Sequence, residues 1–505
     1  MKENHIIQKV FVEISVSNKE KALRIKDDIA SFLSIEVFPE IEKYINALHH
    51  QFADHTLQIP KLELNVDVTS SELNILLKDK IFRIFKEQLS EITDSFFNSE
   101  HTIFYSEQQT DHNAEAYLVE NEEKTVQTFI YFLTTGSMPW WNSAAGSVSF
   151  FEPQIFERLM SSDHFQRNIQ SLFLKQNVKS RIVNQLSDGQ IAKVCRTVLK
   201  NKEIEINLEK NSIRLISRLD NSSRNLIWDL VLNTISESLR SSHRVQKNHL
   251  LQQIAEKALE RPSLFEKTQE IWKTLFEIFP FMKEAEVFER IENSRKVISE
   301  SVLISKEETE QEKTEQKNTV ISDVSKKTKE YLNQKTDDLI LNDDLYIQNA
   351  GLILIHPFLK TFFEHCDLFD SENNQLLNPE LCAHLLHYIA TGKTNAPEYD
   401  MVFEKFLCNI PLHQTISRHI KLSQNHKIQA KKVIESVQHN WSAMQKSSPA
   451  LVQNEFFQRP GKLVIGHDYT LTVERKTQDI LLEKIGWGIG FAKLPWLEKF
   501  IFINW

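Results

Sequence analysis

Glycine is scarce in this chain and unevenly placed. The 505 residues include 10 glycines, and none of them lies within 1–135 or 190–350. Stretches this long without glycine favour helices, because turns that need a positive φ become rare. Half of the glycines lie within 461–505, where they favour tight turns between strands.

Cysteine is also rare, which argues against a disulfide framework. Three of the 4 cysteines lie near histidines, and this proximity raises the question of a metal site. No CxxC or HxxxH spacing is present, although such pairs usually mark zinc sites. We therefore interpret these side chains as buried thiols and ordinary helix histidines, and we predict no metal. They are Cys195, Cys366, Cys382, Cys408, His356, His365, His384 and His387.

Long apolar runs, a signal peptide and a strong net charge are missing as well. No window approaches the roughly 18 apolar residues that would cross a bilayer, and the first residues show no signal-peptide pattern. The net charge of −9 is mild and no basic patch stands out, which argues against nucleic-acid binding. With 41% hydrophobic residues, the chain is expected to form several cores and to be cytoplasmic when made.

Motifs of catalysis are absent too. The sequence has no GxxxxGK[ST], GxGxxG, GxSxG or HExxH. The glycine-rich stretch Gly486–Gly490 lies in a strand-like tail and opens no helix, so we do not interpret it as a phosphate site. Paired carboxylates such as Asp27-Asp28 and Asp343-Asp344 have polar neighbours and are interpreted as solvated surface. The sequence therefore predicts no enzyme, no cofactor and no small-molecule substrate.

Hydrophobic periodicity predicts a small α+β module over residues 1–95, in the order βαβα. Alternation over Val10–Val16 is typical of a strand, and a capping-box pattern at Ser17 starts a helix. A second strand is predicted over Leu57–Val68, and a second helix carries the apolar face Ile81–Ile92. The polar residues 96–120 are predicted to form a loop.

The rest of the chain divides by its pattern into four parts. Residues 121–300 have helical spacing throughout, apart from a turn at Trp140-Trp141. Residues 301–342 mix charges without apolar periodicity and are predicted to be a charged flexible linker. Residues 343–460 are predicted to form a helical domain, and 461–505 are predicted to form a small module in the order ββαββ, with a hairpin at Gly466-His467-Asp468. The predicted fold class is mostly α (α+β).

A faint internal repeat is visible. Phe132–Gly136 (FLTTG) resembles Tyr388–Gly392 (YIATG), and each is followed by a proline a few residues later. Further along, Ile155–Met160 resembles Val402–Leu407, at an offset that differs by nine residues. A diverged duplication of a helical unit and a chance likeness both remain open.

Several blocks resemble a known family. They are the apolar run Ile347–Leu359 with its Gly351 and His356-Pro357-Phe358; Tyr388–Gly392 with Pro397-Glu398-Tyr399; Phe406–Pro411; Phe457-Gln458-Arg459 before Gly461; and Leu494-Pro495-Trp496-Leu497 with Trp505. Together they are similar to the tape measure proteins of contractile injection systems, the phage-tail-like particles of the antifeeding-prophage type. The likeness is dense over 343–505, moderate over 1–95 and thin between them.

The candidate interaction residues follow from this resemblance and from the aromatic residues. The motif positions are Gly351, His356, Pro357, Phe358, Gly392, Pro411, Pro495, Trp496 and Trp505, to which the adjacent Trp140 and Trp141 are added. Two interpretations of the tryptophans stay open. They could anchor a partner protein, or they could fill the joints between helices and the terminal sheet, which is the favoured interpretation.

The resemblance implies a non-enzymatic assembly protein that acts with the tube, baseplate and sheath proteins of a particle. A tape measure sets tube length, acting from within the tube lumen while rings stack around it. The first alternative is a globular chaperone, or a factor that initiates or caps the tube. The second is a delivered effector enzyme, which the missing catalytic residues disfavour. The patterning indicates compact domains more than a rod, and only the central helices and residues 289–342 are expected to extend.

Overall fold

The computed structural model describes most of the chain in separate ranges. These are residues 31–48, 55–59, 61–67, 76–98, 117–142, 150–200, 205–240, 247–266, 269–308 and 345–505, with residues 5, 7, 10, 12 and 29. The chain forms two compact units, Met1–Gln127 and Thr128–Trp505. The described residues are mostly helical, with a small sheet near the C-terminus, which confirms the predicted mostly helical class.

The described residues of the first unit include two long helices and a pair of strands. A π-helical turn, Leu33–Val37, leads into α1 (Phe38–Leu48); then follow β1 (His55–Gln58), α2 (Leu77–Asn98) and β2 (Tyr117–Glu120). Strands β1 and β2 are antiparallel, with His55 opposite Glu120. The core of this unit is built from Val37, Ile41, Phe85 and Leu89, which are buried between the helices.

Three sequence predictions for this unit need comment. The first predicted strand lies largely outside the described residues, and Val10 and Val12 are exposed and not in a strand. The second, Leu57–Val68, coincides with a strand at Leu57 and Gln58, since β1 spans His55–Gln58 and the described residues 59 and 61–67 are not in a strand. The predicted loop 96–120 is wrong at both ends, where α2 continues to Asn98 and β2 forms. Strand β2 pairs with β1, which lies some sixty residues earlier in the chain. Strand formation depends on such a neighbouring strand more than on the strand preference of the local residues.

The second unit begins with a helical region. Its helices are α3 (Asn121–Thr135, whose start precedes the unit boundary), α4 (Pro153–Ser161), α5 (Asp163–Leu172), α6 (Gln176–Gln185), α7 (Asp188–Leu199), α8 (Lys210–Ile216), α9 (Asn221–Arg240), α10 (Lys247–Glu260), α11 (Pro262–Glu266), α12 (Gln269–Ile278) and α13 (Glu284–Glu308). Helix α13 continues through the first residues of the predicted linker, and the remaining linker residues lie outside the described ranges.

The C-terminal region combines further helices with a sheet. In order, it contains β3 (Leu345–Ile347), a 3₁₀ helix (Ala350–Phe358), α14 (Leu359–His365), β4 (Phe369–Asp370), β5 (Gln375–Leu376), α15 (Pro379–Thr391), a 3₁₀ turn (Glu398–Asp400), α16 (Val402–Leu407), α17 (Gln424–Asn440), α18 (Pro449–Val452), a π-helical turn (Gln453–Phe457), β6 (Gly461–Ile465), β7 (Tyr469–Val473), a 3₁₀ helix (Thr477–Lys484), β8 (Phe491–Ala492) and β9 (Ile501–Asn504).

The sheet in this region has five strands in the order β3-β6-β7-β9-β8. The β7–β9 pair is parallel and the other pairs are antiparallel. Residues 461–505 supply four strands, and β3 supplies the fifth from before the helices. The inner face carries Leu463, Leu471, Ile501 and Ile503, which join one continuous core with the helices of 345–460.

The two similar segments of the sequence adopt the same local structure. Helices α3 and α15 each end in Thr-Gly, and the glycines have φ of 85° (Gly136) and 69° (Gly392). In each helix the threonine hydroxyl donates to the carbonyl four residues earlier, and it accepts from the N–H two residues later. Positive φ is costly for other residues, so glycine is favoured at both helix ends.

Candidate functional site

The apolar motif Ile347–Leu359 lies at the centre of the C-terminal core. It comprises the last residue of β3, Asn349 in the left-handed conformation (φ 57°) and the 3₁₀ helix Ala350–Phe358. Gly351 lies directly against the π-helical turn, where an added Cβ would come within 1.7 Å of the Phe456 carbonyl oxygen. Only glycine therefore permits these two segments to approach this closely.

The other motif residues of this helix have different environments. The His356 ring lies close to the Ile353 carbonyl (3.0 Å), and burial lowers its pKa. Pro357 is exposed. Phe358 packs edge-on against Trp487, with ring centroids 5.2 Å apart, and the Trp487 indole N–H donates to the Leu354 carbonyl at 3.0 Å.

The remaining candidates are divided between core and surface. Trp496 is buried, packs against Phe363 and donates its indole N–H to the Leu407 carbonyl at 2.7 Å. The half-buried Trp505 donates to Asp479 Oδ2 at 3.1 Å. Gly392, Pro411 and Pro495 are exposed.

The adjacent tryptophans follow helix α3. Trp140 and Trp141 lie in a 3₁₀ turn, Trp140–Asn142. The Trp141 ring packs edge-on against Tyr131 with centroids 5.9 Å apart, while the Trp140 side chain lies outside the described part of the chain. The structure thus does not bring the predicted candidates together at one place.

A different set of residues does converge. Arg181 and Gln185 on α6 meet Glu398 and Lys405 of the C-terminal region, and all four side chains are buried. We call these four residues the buried junction. The structure joins the helical region to the C-terminal region here, across 217 positions of sequence between Arg181 and Glu398.

Glu398 is the centre of the buried junction. Its carboxylate accepts from Arg181 Nε at 3.0 Å and from Lys405 Nζ at 2.6 Å. Arg181 Nη2 donates to the same carboxylate at 3.4 Å, and the Thr415 hydroxyl adds a further hydrogen bond at 3.0 Å. The backbone N–H of Glu398 donates to Gln185 Oε1 at 2.9 Å, and Gln185 Nε2 in turn donates to the Ile416 carbonyl at 2.7 Å.

Carbonyl groups satisfy the other donors of the two cations. Arg181 donates to the carbonyls of Leu133 (2.7 Å) and His413 (2.9 Å). Lys405 donates to those of Leu412 (2.9 Å) and Gln414 (2.5 Å). This satisfies a general requirement, because buried charges are tolerated only when they are paired and hydrogen-bonded.

Space and charge are both tight at the buried junction. A Cβ added to Gly136 would lie 2.5 Å from Glu398 Oε1 and 2.8 Å from Arg181 Nη2, so glycine leaves room for the ion pair. Two cations share one carboxylate at its centre. Burial lowers the pKa of Lys405, while Glu398 acts in the opposite direction. The buried junction therefore holds the helical region and the C-terminal region together, and none of its four side chains is an exposed reactive group.

A second buried polar group lies behind the motif. Glu404 Oε1 accepts from Asn349 Nδ2 at 2.7 Å and lies 2.9 Å from His387 Nδ1. Burial raises the pKa of nearby Asp400 to about 6, an effect that His387 opposes and Glu404 reinforces. These contacts fix Asn349 at the start of the 3₁₀ helix.

The histidines and thiols considered for a metal have other partners or surroundings. His384 Nε2 donates to the Ser417 carbonyl at 2.7 Å, and burial lowers its pKa to about 4. The four cysteines are buried and free. Within the described ranges, no three His, Cys, Asp or Glu side chains are grouped to hold a metal ion.

Sequence reasoning missed the buried junction. Glu398 belongs to the motif Pro397-Glu398-Tyr399 but is not among the predicted interaction residues, and Lys405 lies in the weakly repeated block Val402–Leu407. The one usable signal was FLTTG before the junction, since its glycine turns out to contact the ion pair. Arg181 gave no signal, because a charged side chain on a helix normally indicates a solvated face.

Comparisons with known proteins give one match. A family model described as contractile injection system tape measure protein matches residues 4–505. No curated protein and no solved structure matches the chain. No helix among the described residues is long and apolar enough to span a membrane.

Proposed function

Because the chain belongs to the contractile injection system tape measure family, we propose that it sets the length of the inner tube and its sheath during particle assembly. It does so as a non-enzymatic assembly protein that associates with tube, baseplate and sheath proteins. It works in the cytoplasm during assembly, with a place in the tube lumen. The match over residues 4–505 is the observation that carries this proposal.

The buried junction bears on how a ruler could work. Helix α13 ends at Glu308 and β3 starts at Leu345, and both belong to the compact unit Thr128–Trp505. While the junction is closed, residues 309–344 connect two points of one unit. Added residues there would enlarge the connection without moving its ends apart. A ruler that uses this segment therefore requires the junction to open.

A second candidate function is favoured by the same contacts. A unit held closed by buried charges is consistent with a folded factor that initiates or caps the tube. Such a factor needs a fixed binding surface and does not have to extend along the tube. In that case tube length would not depend on the number of residues in 309–344.

The test is to change the length of that segment. In-frame insertions and deletions of about 30 residues within 309–344 are combined with electron microscopy of particle lengths. A ruler predicts a shift of roughly 45 Å if the inserted residues are helical and roughly 100 Å if they are extended. An equal insertion in the exposed turn between β4 and β5 is the matched control, for which we expect no shift.

The two candidates give different results. Lengths that change in proportion to the residues added support the ruler. Normal lengths for every variant, with normal particle numbers, contradict a ruler in this segment and favour initiation or capping. The insertions are repeated with Glu398→Gln, because a length change seen only in that background would show that the closed junction prevents extension.

A further inference from the structure

The C-terminal region has a hydrophobic core of its own. Its buried apolar side chains form one cluster that begins at Leu345 and ends at Ile503. Among the described residues, no side chain of helices α3–α13 belongs to this cluster, although these helices bury many apolar side chains, such as Phe165 and Trp228. Two parts of a chain that each have a core can stay folded when the contact between them is broken.

One segment of the C-terminal region makes the contacts with the helical region. The buried junction supplies the charged part of this contact. Beside it, the backbone N–H of Arg418 donates to the Asn184 carbonyl at 2.9 Å. In the part of the chain that the structure describes, the hydrogen bonds, ion pairs and ring contacts between the two regions all come from residues 398–419 on the C-terminal side. We call residues 398–419 the latch segment.

Aromatic rings form the rest of this boundary. The Tyr399 ring packs edge-on against Phe132, with centroids 5.1 Å apart, and stacks on Phe151 at 6.1 Å. The Arg418 guanidinium lies over the Phe151 ring, 4.1 Å from its centroid. Tyr399 and Arg418 are only half-buried, so water reaches this side of the boundary.

The latch segment is anchored in the C-terminal region. Its buried apolar side chains belong to the C-terminal core, among them Phe403, Leu407 and Ile416. Lys405 bonds to Glu398 and to two carbonyls of the same segment. The Ser417 carbonyl lies 2.7 Å from His384 Nε2. The segment would therefore stay with the C-terminal region if the two regions parted, and Glu398 would keep one of its two cations.

Separation of the two regions would expose groups that water solvates well. Arg181 would lose Glu398 and the His413 carbonyl, and water would take their place around its guanidinium. Buried ion pairs contribute little net stability, because their attraction is offset by the cost of removing the charges from water. A boundary made of such pairs and of half-buried rings therefore opens more readily than an apolar core.

We propose that the latch segment is a releasable contact, at which the helical region and the C-terminal region part as two folded bodies. This inference deepens the proposed function, because a ruler that uses residues 309–344 requires such an opening. Release transfers Arg181 to water, while Lys405 stays beside Glu398. The chain between Glu308 and Leu345 then tethers the two bodies, over at most roughly 120 Å when it is fully extended.

The test uses the full chain with Glu398→Gln and Tyr399→Ser combined, which removes the charge and the ring of the latch segment. Tyr388→Ser is the matched control, because Tyr388 is a half-buried tyrosine that packs against the C-terminal core. Hydrogen exchange measured by mass spectrometry follows the latch segment, helix α9 of the helical region and helix α15 of the C-terminal region. Small-angle X-ray scattering gives the radius of gyration.

We expect the amides of Arg418 and residue 398, which bond across the boundary, to exchange at least about a hundredfold faster in the double variant. Helices α9 and α15 should keep their native exchange rates, and the radius of gyration should increase. The control should leave the radius of gyration unchanged. Equal acceleration in all three places would show that the regions unfold together, and an unchanged latch segment would show that it does not hold them. Either result would overturn the proposal.

A second measurement needs no substitution. In low urea, the Arg418 amide of the native chain should exchange through an opening with a smaller urea dependence than the amides of α9 and α15, because release exposes less surface than unfolding. Equal urea dependence would contradict release.

The length assay is independent of both measurements. Tube lengths that follow insertions in 309–344, with no release in either exchange experiment, would keep the ruler and overturn the latch. Release with unchanged tube lengths would support the latch and contradict the ruler.

Discussion

Substituting Glu398 by glutamine tests the buried junction most directly. The glutamine keeps the size of the side chain and can still accept from Thr415, but it carries no negative charge. Arg181 and Lys405 would then lose the carboxylate that pairs directly with both of them, in a site where both are buried. Removing one partner of a buried ion pair typically costs about 3–5 kcal/mol.

That cost should appear as local opening. Residues 397–416 and helix α6 meet at the buried junction, so their amide hydrogens report its opening. A loss of about 3–5 kcal/mol accelerates their exchange by roughly a hundred- to a few thousand-fold, because 1.4 kcal/mol corresponds to a factor of ten. Hydrogen exchange measured by mass spectrometry is the assay.

The pH dependence supplies an internal check. The folded-state pKa of Lys405 is lowered by burial, so the folded state binds fewer protons than the unfolded state between that pKa and the usual one. Stability therefore rises with pH across this window. Glu398 raises the Lys405 pKa, so removing its charge lowers that pKa further and extends the window to lower pH. The deficit of Glu398→Gln relative to the native chain should therefore shrink as pH rises from neutral towards the usual lysine pKa.

Two controls set the scale. Thr415→Val removes one hydrogen bond from a hydroxyl to the charged Glu398 carboxylate and should cost about 1.5–3 kcal/mol. Lys193→Gln removes a solvent-exposed ion pair with Glu157 and should cost less than about 1 kcal/mol. If Glu398→Gln exchanges within about tenfold of the native chain at pH 7, the charges at the junction do not hold the two regions together, and the reasoning is refuted.

Two further predictions concern the C-terminal region. Gly351→Ala should lower the melting temperature sharply, because its Cβ would overlap the Phe456 carbonyl oxygen and force the backbone apart, at a cost of at least about 1–3 kcal/mol. Gly189→Ala is its control: nothing lies within 4 Å and helix α7 continues there, so an unchanged or higher melting temperature is expected, and equal effects would contradict the packing argument. Asp400→Asn should stabilise the chain near pH 7 but not near pH 4, because burial raises the Asp400 pKa to about 6 and folded-state stability therefore falls as pH rises through 4–6. Urea denaturation across this range measures the difference, and a gap independent of pH would count against it.

Several elements could be predicted because their determinants are local. Leu251, Ile254, Ala255 and Ala258 repeat with helical spacing, and they line the buried face of α10, which ends before Pro262. The hairpin at Gly466-His467-Asp468 corresponds to β6 and β7 on either side of it. In both cases one side of the element packs against a core, so apolar residues recur in the sequence with the period of a helix or a strand.

The pairing of distant segments could not be predicted in this way. β2 falls in a polar stretch predicted to be a loop, and β3 joins a sheet whose other strands begin more than a hundred residues later. The spacing of apolar residues indicates which face of a helix or strand is buried. It does not indicate which other element packs against that face. Strand formation at an edge depends on the partner strand that the fold provides.

The sequence alone determined the helical class, the helix boundaries set by proline and glycine, the glycine-rich terminal strands and the family likeness. Each of these depends on residues that are neighbours in the chain. Only the tertiary structure decided that Arg181, Glu398 and Lys405 meet in a buried site, and that residues 398–419 carry the contacts between the two regions. The physical reason is that a charge is buried only when a distant partner offsets its desolvation, and no local pattern encodes that partner.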